Sequence, residues 1–108
     1  MSHIIQGRQG SLDIVGTVEE KVVYNKYGAT VAQFDRFEEG VGSFIQALDR
    51  TVALVDPYGI VWKNRRVIGH IIQNRAYTPN GKRAGFVDSH DTIEIHAGCA
   101  TLLFGHLY

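Results

Sequence analysis

Residues 68–87 read Ile68-Gly69-His70-Ile71-Ile72-Gln73-Asn74-Arg75-Ala76-Tyr77-Thr78-Pro79-Asn80-Gly81-Lys82-Arg83-Ala84-Gly85-Phe86-Val87. A phrase of the form apolar–small–any–apolar opens this stretch as Ile68-Gly69-His70-Ile71 and returns as Ala84-Gly85-Phe86-Val87. Between the two copies lie an aromatic, Tyr77, and a turn at Pro79-Asn80-Gly81. The phrase also appears as Val15-Gly16-Thr17-Val18, Val31-Ala32-Gln33-Phe34, Val52-Ala53-Leu54-Val55 and Phe104-Gly105-His106-Leu107, with an extra copy at Val41-Gly42-Ser43-Phe44. The steps from Val15 to Val31, Val52 to Ile68 and Ile68 to Ala84 are sixteen residues each. A repeat of that length, holding short β-branched and aromatic runs between turn residues, predicts tandem β-hairpins.

Side chains alternate along a strand, so the small residue of each phrase shares a face with the apolar residue two positions later. All the small positions are Gly or Ala: Gly16, Ala32, Gly42, Ala53, Gly69, Gly85 and Gly105. Small beside large, repeated unit after unit, suits the tapering interior of a closed barrel or radial flower. The glycines then mark where strands come closest to a shared axis. Val22-Val23-Tyr24, Ile60-Val61-Trp62 and Arg75-Ala76-Tyr77 read as second strands. Asn25-Lys26-Tyr27-Gly28, Asp56-Pro57-Tyr58-Gly59 and Pro79-Asn80-Gly81 read as tight turns. Glu19-Glu20, Gln73-Asn74 and Ser89-His90-Asp91 are shorter hairpin links. The fold class expected is therefore all-β, a pseudo-symmetric array of hairpins with a period of sixteen residues.

Residues 35–50 break the step. Phe37, Val41, Phe44, Ile45 and Leu48 fit a helical stripe. The likeness of Val41-Gly42-Ser43-Phe44-Ile45-Gln46 to Ile68-Gly69-His70-Ile71-Ile72-Gln73 favours a shortened β unit instead. Residues 1–13 form an arm or an edge strand, and residues 14–108 one β domain. Closure is expected from a Phe104–Tyr108 strand pairing near Ile14–Val18, or from a second copy.

The units from Gly16 to Val31, with Tyr24 and Gly28, and from Gly69 to Val87, with Tyr77 and Gly81, resemble the bacterial four-fold β-flower family. The likeness extends over residues 14–107. It implies petals of β-hairpin around a pseudo-symmetry axis, and it carries no established activity.

The chain has 108 residues, eleven basic and eleven acidic side chains, twelve glycines and one cysteine, Cys99. One domain of this length buries about two thirds of its unfolded surface. The cancelled charge argues against nucleic acid or an anionic membrane as a partner. A lone cysteine excludes an internal disulfide framework and suits a reducing compartment. The N-terminus lacks a charged n-region and long apolar segment, and no run of about 18 apolar residues spans a bilayer. A cytoplasmic protein is expected.

Three constellations carry chemistry. Asp88, His90, Asp91, Glu94, His96 and Cys99 crowd the last unit. Read as strand, Glu94 and His96 share a face that His90 and Asp91 approach from the preceding turn, a donor set for zinc, manganese or iron. A solvated polar hairpin is the alternative. Cys99 with His96 has the elements of a nucleophile and its base but no orienting third group; a buried inert thiol is the plainer reading. Between Pro57 and Val87 no acidic residue occurs, whereas Lys63, Arg65, Arg66, Arg75, Lys82 and Arg83 interleave with Tyr58, Trp62 and Tyr77. Cations with aromatics suit single-stranded nucleic acid, unless the aromatics belong to the core. His70 and His106 occupy equivalent phrase positions and make a second metal candidate. No Gly-Lys-Ser/Thr loop or Gly-x-Gly-x-x-Gly segment is present, and no cofactor is indicated. The reading that gathers these features is a non-enzymatic binding or assembly module, a homo-oligomer or a receptor for a protein or small molecule. A metal-dependent or hydrolase-like activity at 88–99 is its rival.

Overall fold

The computed structural model describes residues 3–7, 14–105 and 107. Ten strands follow one another: β1 (His3–Gln6), β2 (Ile14–Glu19), β3 (Val22–Asn25), β4 (Thr30–Glu38), β5 (Gly42–Ala47), β6 (Val52–Val55), β7 (Ile60–Lys63), β8 (Arg66–Ile72), β9 (Arg75–Tyr77) and β10 (Arg83–Val87). A helix, α1 (Thr92–Phe104), follows the last strand. Each strand pairs antiparallel with its chain neighbour, and β1 pairs with β10 to close the barrel. Ile5 faces Val87 on one side and Gly16 on the other, so no edge is left open. The expected hairpin array is present, and residues 35–50 form the end of β4, a turn and β5 rather than a helix. Closure differs from expectation: β1 supplies it, and residues 92–104 are helical.

The turns work as their residues dictate. Asn25 Oδ1 accepts from the amides of Tyr27 and Ala29 at 2.9 and 3.0 Å. Asp56 Oδ1 repeats this with Tyr58 and Ile60, at 2.9 and 3.0 Å. In each turn the glycine three residues on takes a positive φ, 86° at Gly28 and 82° at Gly59, where a Cβ would be strained.

The phrase defines the inner wall. Gly16 with Val18, Ala53 with Val55, Gly69 with Ile71 and Gly85 with Val87 are all buried. Beyond the carbonyls of their neighbouring strands, Gly69 and Gly85 approach α1 and Gly16 approaches Leu107; α1 touches β2 to β6 and β8 to β10 and so runs inside the barrel. A Cβ placed on Gly69 would lie 2.6 Å from Leu103 Cδ2, one on Gly85 2.6 Å from Leu102 Cδ1, and one on Gly16 2.9 Å from Leu107 Cδ2. The helix is thin in return. Its middle is Ala97-Gly98-Cys99-Ala100-Thr101, buried on every side, and a Cβ on Gly98 would stand 2.7 Å from Val87 Cγ2. Strand glycines and helix small residues interlock, leaving room for a helix on the axis of a ten-stranded barrel.

Two copies of the phrase depart from the pattern. In β5 the inward positions are Ser43, Ile45 and Ala47, one residue out of phase with Gly42 and Phe44, because Ser43 faces Val55 and Ile45 faces Ala53. The copy at Phe104-Gly105 is the end of the helix: Gly105 caps it at φ 82°, its N–H bonding Leu102 O at 3.1 Å. His106, the partner proposed for His70, lies outside the described residues.

Candidate functional site

An up-and-down barrel sends successive turns to opposite mouths. Turns 20–21, 39–41, 56–59 and 73–74 and the link 88–91 lie at the mouth where α1 begins; turns 26–29, 48–51, 64–65 and 78–82 lie at the other. The charges sort with them. The mouth where the helix ends carries Lys26, Arg50, Lys63, Arg65, Arg66, Lys82 and Arg83 against Asp49. The mouth where it begins carries Glu19, Glu20, Asp35, Glu38, Glu39, Asp56, Asp88, Asp91 and Glu94 against Lys21, Arg36 and Arg75. Among the described residues the charge thus forms two opposite poles. Acids near the helix N-terminus and cations near its C-terminus also complement the helix dipole.

Five of the six cations expected together lie at one mouth, on the adjacent β7–β8 and β9–β10 tips, with Lys26 and Arg50 on other hairpins of that mouth. Arg75 does not; it opens β9 at the acidic mouth. The aromatics are committed elsewhere. Trp62 Nε1 donates to Asp56 Oδ2 at 3.0 Å, and Tyr77 stacks on His70 with centroids 5.2 Å apart. Tyr58 is exposed but sits at the acidic mouth.

The 88–99 cluster is dispersed by the helix. Asp91 is its N-cap, Oδ1 accepting from the amides of Ile93 and Glu94 at 2.8 and 3.2 Å. His90 and Asp88 are exposed. Two residues along a helix turn about 200°, so Glu94 and His96 face different walls, contrary to the shared strand face expected. Glu94, 4 % exposed, ties the helix start to the barrel. Its Oε1 accepts from Ser89 Oγ at 2.7 Å, and its Oε2 accepts from the Glu20 amide at 2.8 Å. His3 Nδ1 approaches Oε1 to 2.8 Å outside hydrogen-bond alignment, a contact that is coulombic when the imidazole is charged. Among the described residues no group of three or more His, Cys, Asp or Glu could hold a metal ion.

His96 turns instead to β5, its Nδ1 3.0 Å from Ser43 Oγ. Burial lowers its pKa below the ordinary imidazole value, because desolvation penalises the charged ring. Cys99 is fully buried, its Sγ 3.9 Å from Asn74 O, and burial raises its pKa far from thiolate formation at neutral pH. The Cys99–His96 pair is therefore not assembled: one group meets the β8–β9 turn and the other meets β5.

Ser43 and His96 line an open cleft of about 680 Å³ in the acidic mouth. Its walls come from the tips of β4–β5 and β6–β7, the end of β8 and the first turns of α1, with Phe37, Val55, Tyr58, Ile71 and Ile95 supplying apolar surface. Phe37 and Tyr58 are 64 % and 88 % exposed, and Val41 and Ile72 stand exposed at the same mouth, far more apolar surface than a hairpin tip needs. Asp56 also lines the cleft, but its carboxylate is occupied by the Tyr58 and Ile60 amides and Trp62 Nε1, bonds that keep its pKa low despite desolvation. Among the described residues no carboxylate orients His96, as a nucleophile–base relay requires.

Ser43 was not legible from sequence as a site residue, since it stood in the variable slot of an apparent phrase. The helix did leave a signal, Asp91 three residues before Glu94 and Gly105 past the last apolar residue. No described helix is long and apolar enough to cross a membrane. No protein-family model, curated protein or solved structure matches the chain.

Proposed function

We propose that the protein is a non-enzymatic assembly module whose copies join head to tail, the basic mouth of one on the acidic mouth of the next. The observation that carries this is the separation of charge between the two mouths of a chain with zero net charge. Complementary potentials steer encounter and fix orientation, while the poles of like sign disfavour mouth-to-like-mouth pairing. Each mouth also exposes apolar residues for a desolvated centre: Tyr27 and Leu48 at the basic mouth, Phe37, Val41, Tyr58 and Ile72 at the acidic one. The two surfaces differ, so the contact is heterologous and propagates as a ring or filament. The likeness to the four-fold β-flower family and a cytoplasmic setting belong to the same reading, supported by the hairpin units and by one buried, unpaired cysteine.

Sedimentation velocity tests it. Association at about 20 mM salt should fade at about 500 mM, where the screening length falls below about 5 Å. R65E/R66E and E38K/E39K should each be monomeric alone and should associate when mixed, because each restores the other's missing pole. A wild-type monomer at low salt and high concentration, or variants that associate like wild type, would end the proposal. The convergence of Lys63, Arg65, Arg66, Lys82 and Arg83 supports a second reading, retention of a phosphate polymer. Salt-sensitive oligonucleotide binding by a protein that stays monomeric would select it.

A further inference from the structure

We propose that the cleft beside Ser43 and His96 is a binding site for a small arylalkylamine-type ligand, an aromatic body with one cationic amine head. Its volume of about 680 Å³ lies in the range of small-molecule sites, about 300–1,000 Å³. Such sites pair apolar walls with few polar groups, and this one does so. Phe37, Tyr58, Ile71 and Ile95 offer aromatic and aliphatic surface, while Ser43 and His96 are the hydrogen-bonding pair.

The head group follows from what His96 has left to give. Among the described residues its only bond is to Ser43, through Nδ1, so Nε2 is not used by the protein. An amine head selects the tautomer in which Nδ1–H donates to Ser43 Oγ and the Nε2 lone pair accepts from the ligand's N–H. Burial holds the ring neutral, so it does not repel a cation. The sign of the head follows from the lining: Asp56 is its one charged side chain, and Glu38 and Glu39 stand on the adjoining tip. A carboxylate or phosphate head would meet Asp56, Glu39 and a β4–β5 tip on which Asp35 and Glu38 share the single cation Arg36, a net negative surrounding. The apolar walls take the aromatic body, as in other small-molecule sites lined by hydrophobic and aromatic side chains.

The site shares Phe37 and Tyr58 with the surface proposed for head-to-tail assembly, so an assembled neighbour would cover it. The test therefore uses R65E/R66E protein, whose acidic mouth is unaltered and whose self-association is expected to be lost. Phenethylamine, 2-phenylethanol and phenylacetate, alike in size and differing in charge, are titrated while amide and histidine ring resonances are followed by NMR. Phenethylamine should give saturable shifts at Ser43, Ile71, Ile95 and His96, and phenylacetate should bind about tenfold more weakly or not at all. H96F should weaken phenethylamine binding about tenfold while keeping the ring volume. Should H96F fail to fold, Y58A, at an exposed position, should weaken all three probes by removing wall area. Equal affinity for amine and carboxylate, shifts scattered over the barrel exterior, or binding untouched by either variant would overturn the proposal.

Discussion

Replacing Gly69 by alanine should destabilise the barrel, though the same change usually stabilises by about 0.4–1 kcal/mol through the unfolded chain where the backbone permits it. Gly69 has no positive φ, so the effect is steric. The new Cβ would sit 2.6 and 2.7 Å from the two Leu103 methyls and against the Tyr77 carbonyl of β9. Ordinary contact begins near 3.4 Å. Leu103, half-buried beside an open cleft, can swing its methyls aside, but the Tyr77 carbonyl cannot, so the β8–β9 ladder must widen. Overpacking of this kind costs about 1–3 kcal/mol, and the backbone contact favours the upper part of that range. After the unfolded-state gain, a net loss of about 2 kcal/mol remains, which lowers Tm by about 10 °C for a domain near this size. Thermal unfolding followed by circular dichroism reads it. Leu103→Ala in the same chain should recover part of the loss, a coupling of about 1 kcal/mol, because it frees the methyls but not the carbonyl. A Tm equal to or above wild type for G69A would show that α1 does not pack on β8, and the reasoning would fail.

Other substitutions test other joints. Glu94→Ala leaves the Glu20 amide and Ser89 hydroxyl without their acceptor and should cost about 2–4 kcal/mol by chemical denaturation; a loss under about 0.5 kcal/mol would refute the tether. His96 should titrate by NMR below its ordinary value. A depressed native pKa means the unfolded chain binds the extra proton first. Its contribution is thus present above about pH 6.5 and lost as pH falls from there towards the native pKa; an His96 pKa at or above 6.5 would contradict the burial. Cys99 should react with a thiol reagent only as fast as the protein unfolds, and rapid modification of the native protein would place it on the surface.

Much of the barrel was legible because its signal is local. Gly69-x-Ile71 and Gly85-x-Val87 announce an inner face at period two, and Asn25, Asp56, Gly28 and Gly59 announce turns by their own chemistry. The helix was hidden by its place. A helix buried on all sides needs no apolar stripe, and one on a barrel axis must be thin, so Ala97-Gly98-Cys99-Ala100 carries no bulky periodicity. Its closing Gly105 then counterfeited one more copy of the β phrase. The acidic cluster misled for the same reason: a strand puts Glu94 and His96 side by side, whereas a helix sends one to Glu20 and the other to Ser43. The two poles follow from the alternation of turns between mouths, which depends on topology and not on any one segment.

One thin helix fills the barrel and meets glycines on separate strands. Nuclear Overhauser contacts measure this directly: Leu103 methyls to Gly69 Hα on β8, Leu102 methyls to Gly85 Hα on β10, and Gly98 Hα to Val87 methyls. All three should appear in one spectrum, with helical shifts over residues 92–104. Extended-strand shifts over that segment, or helical shifts without these contacts, would contradict it.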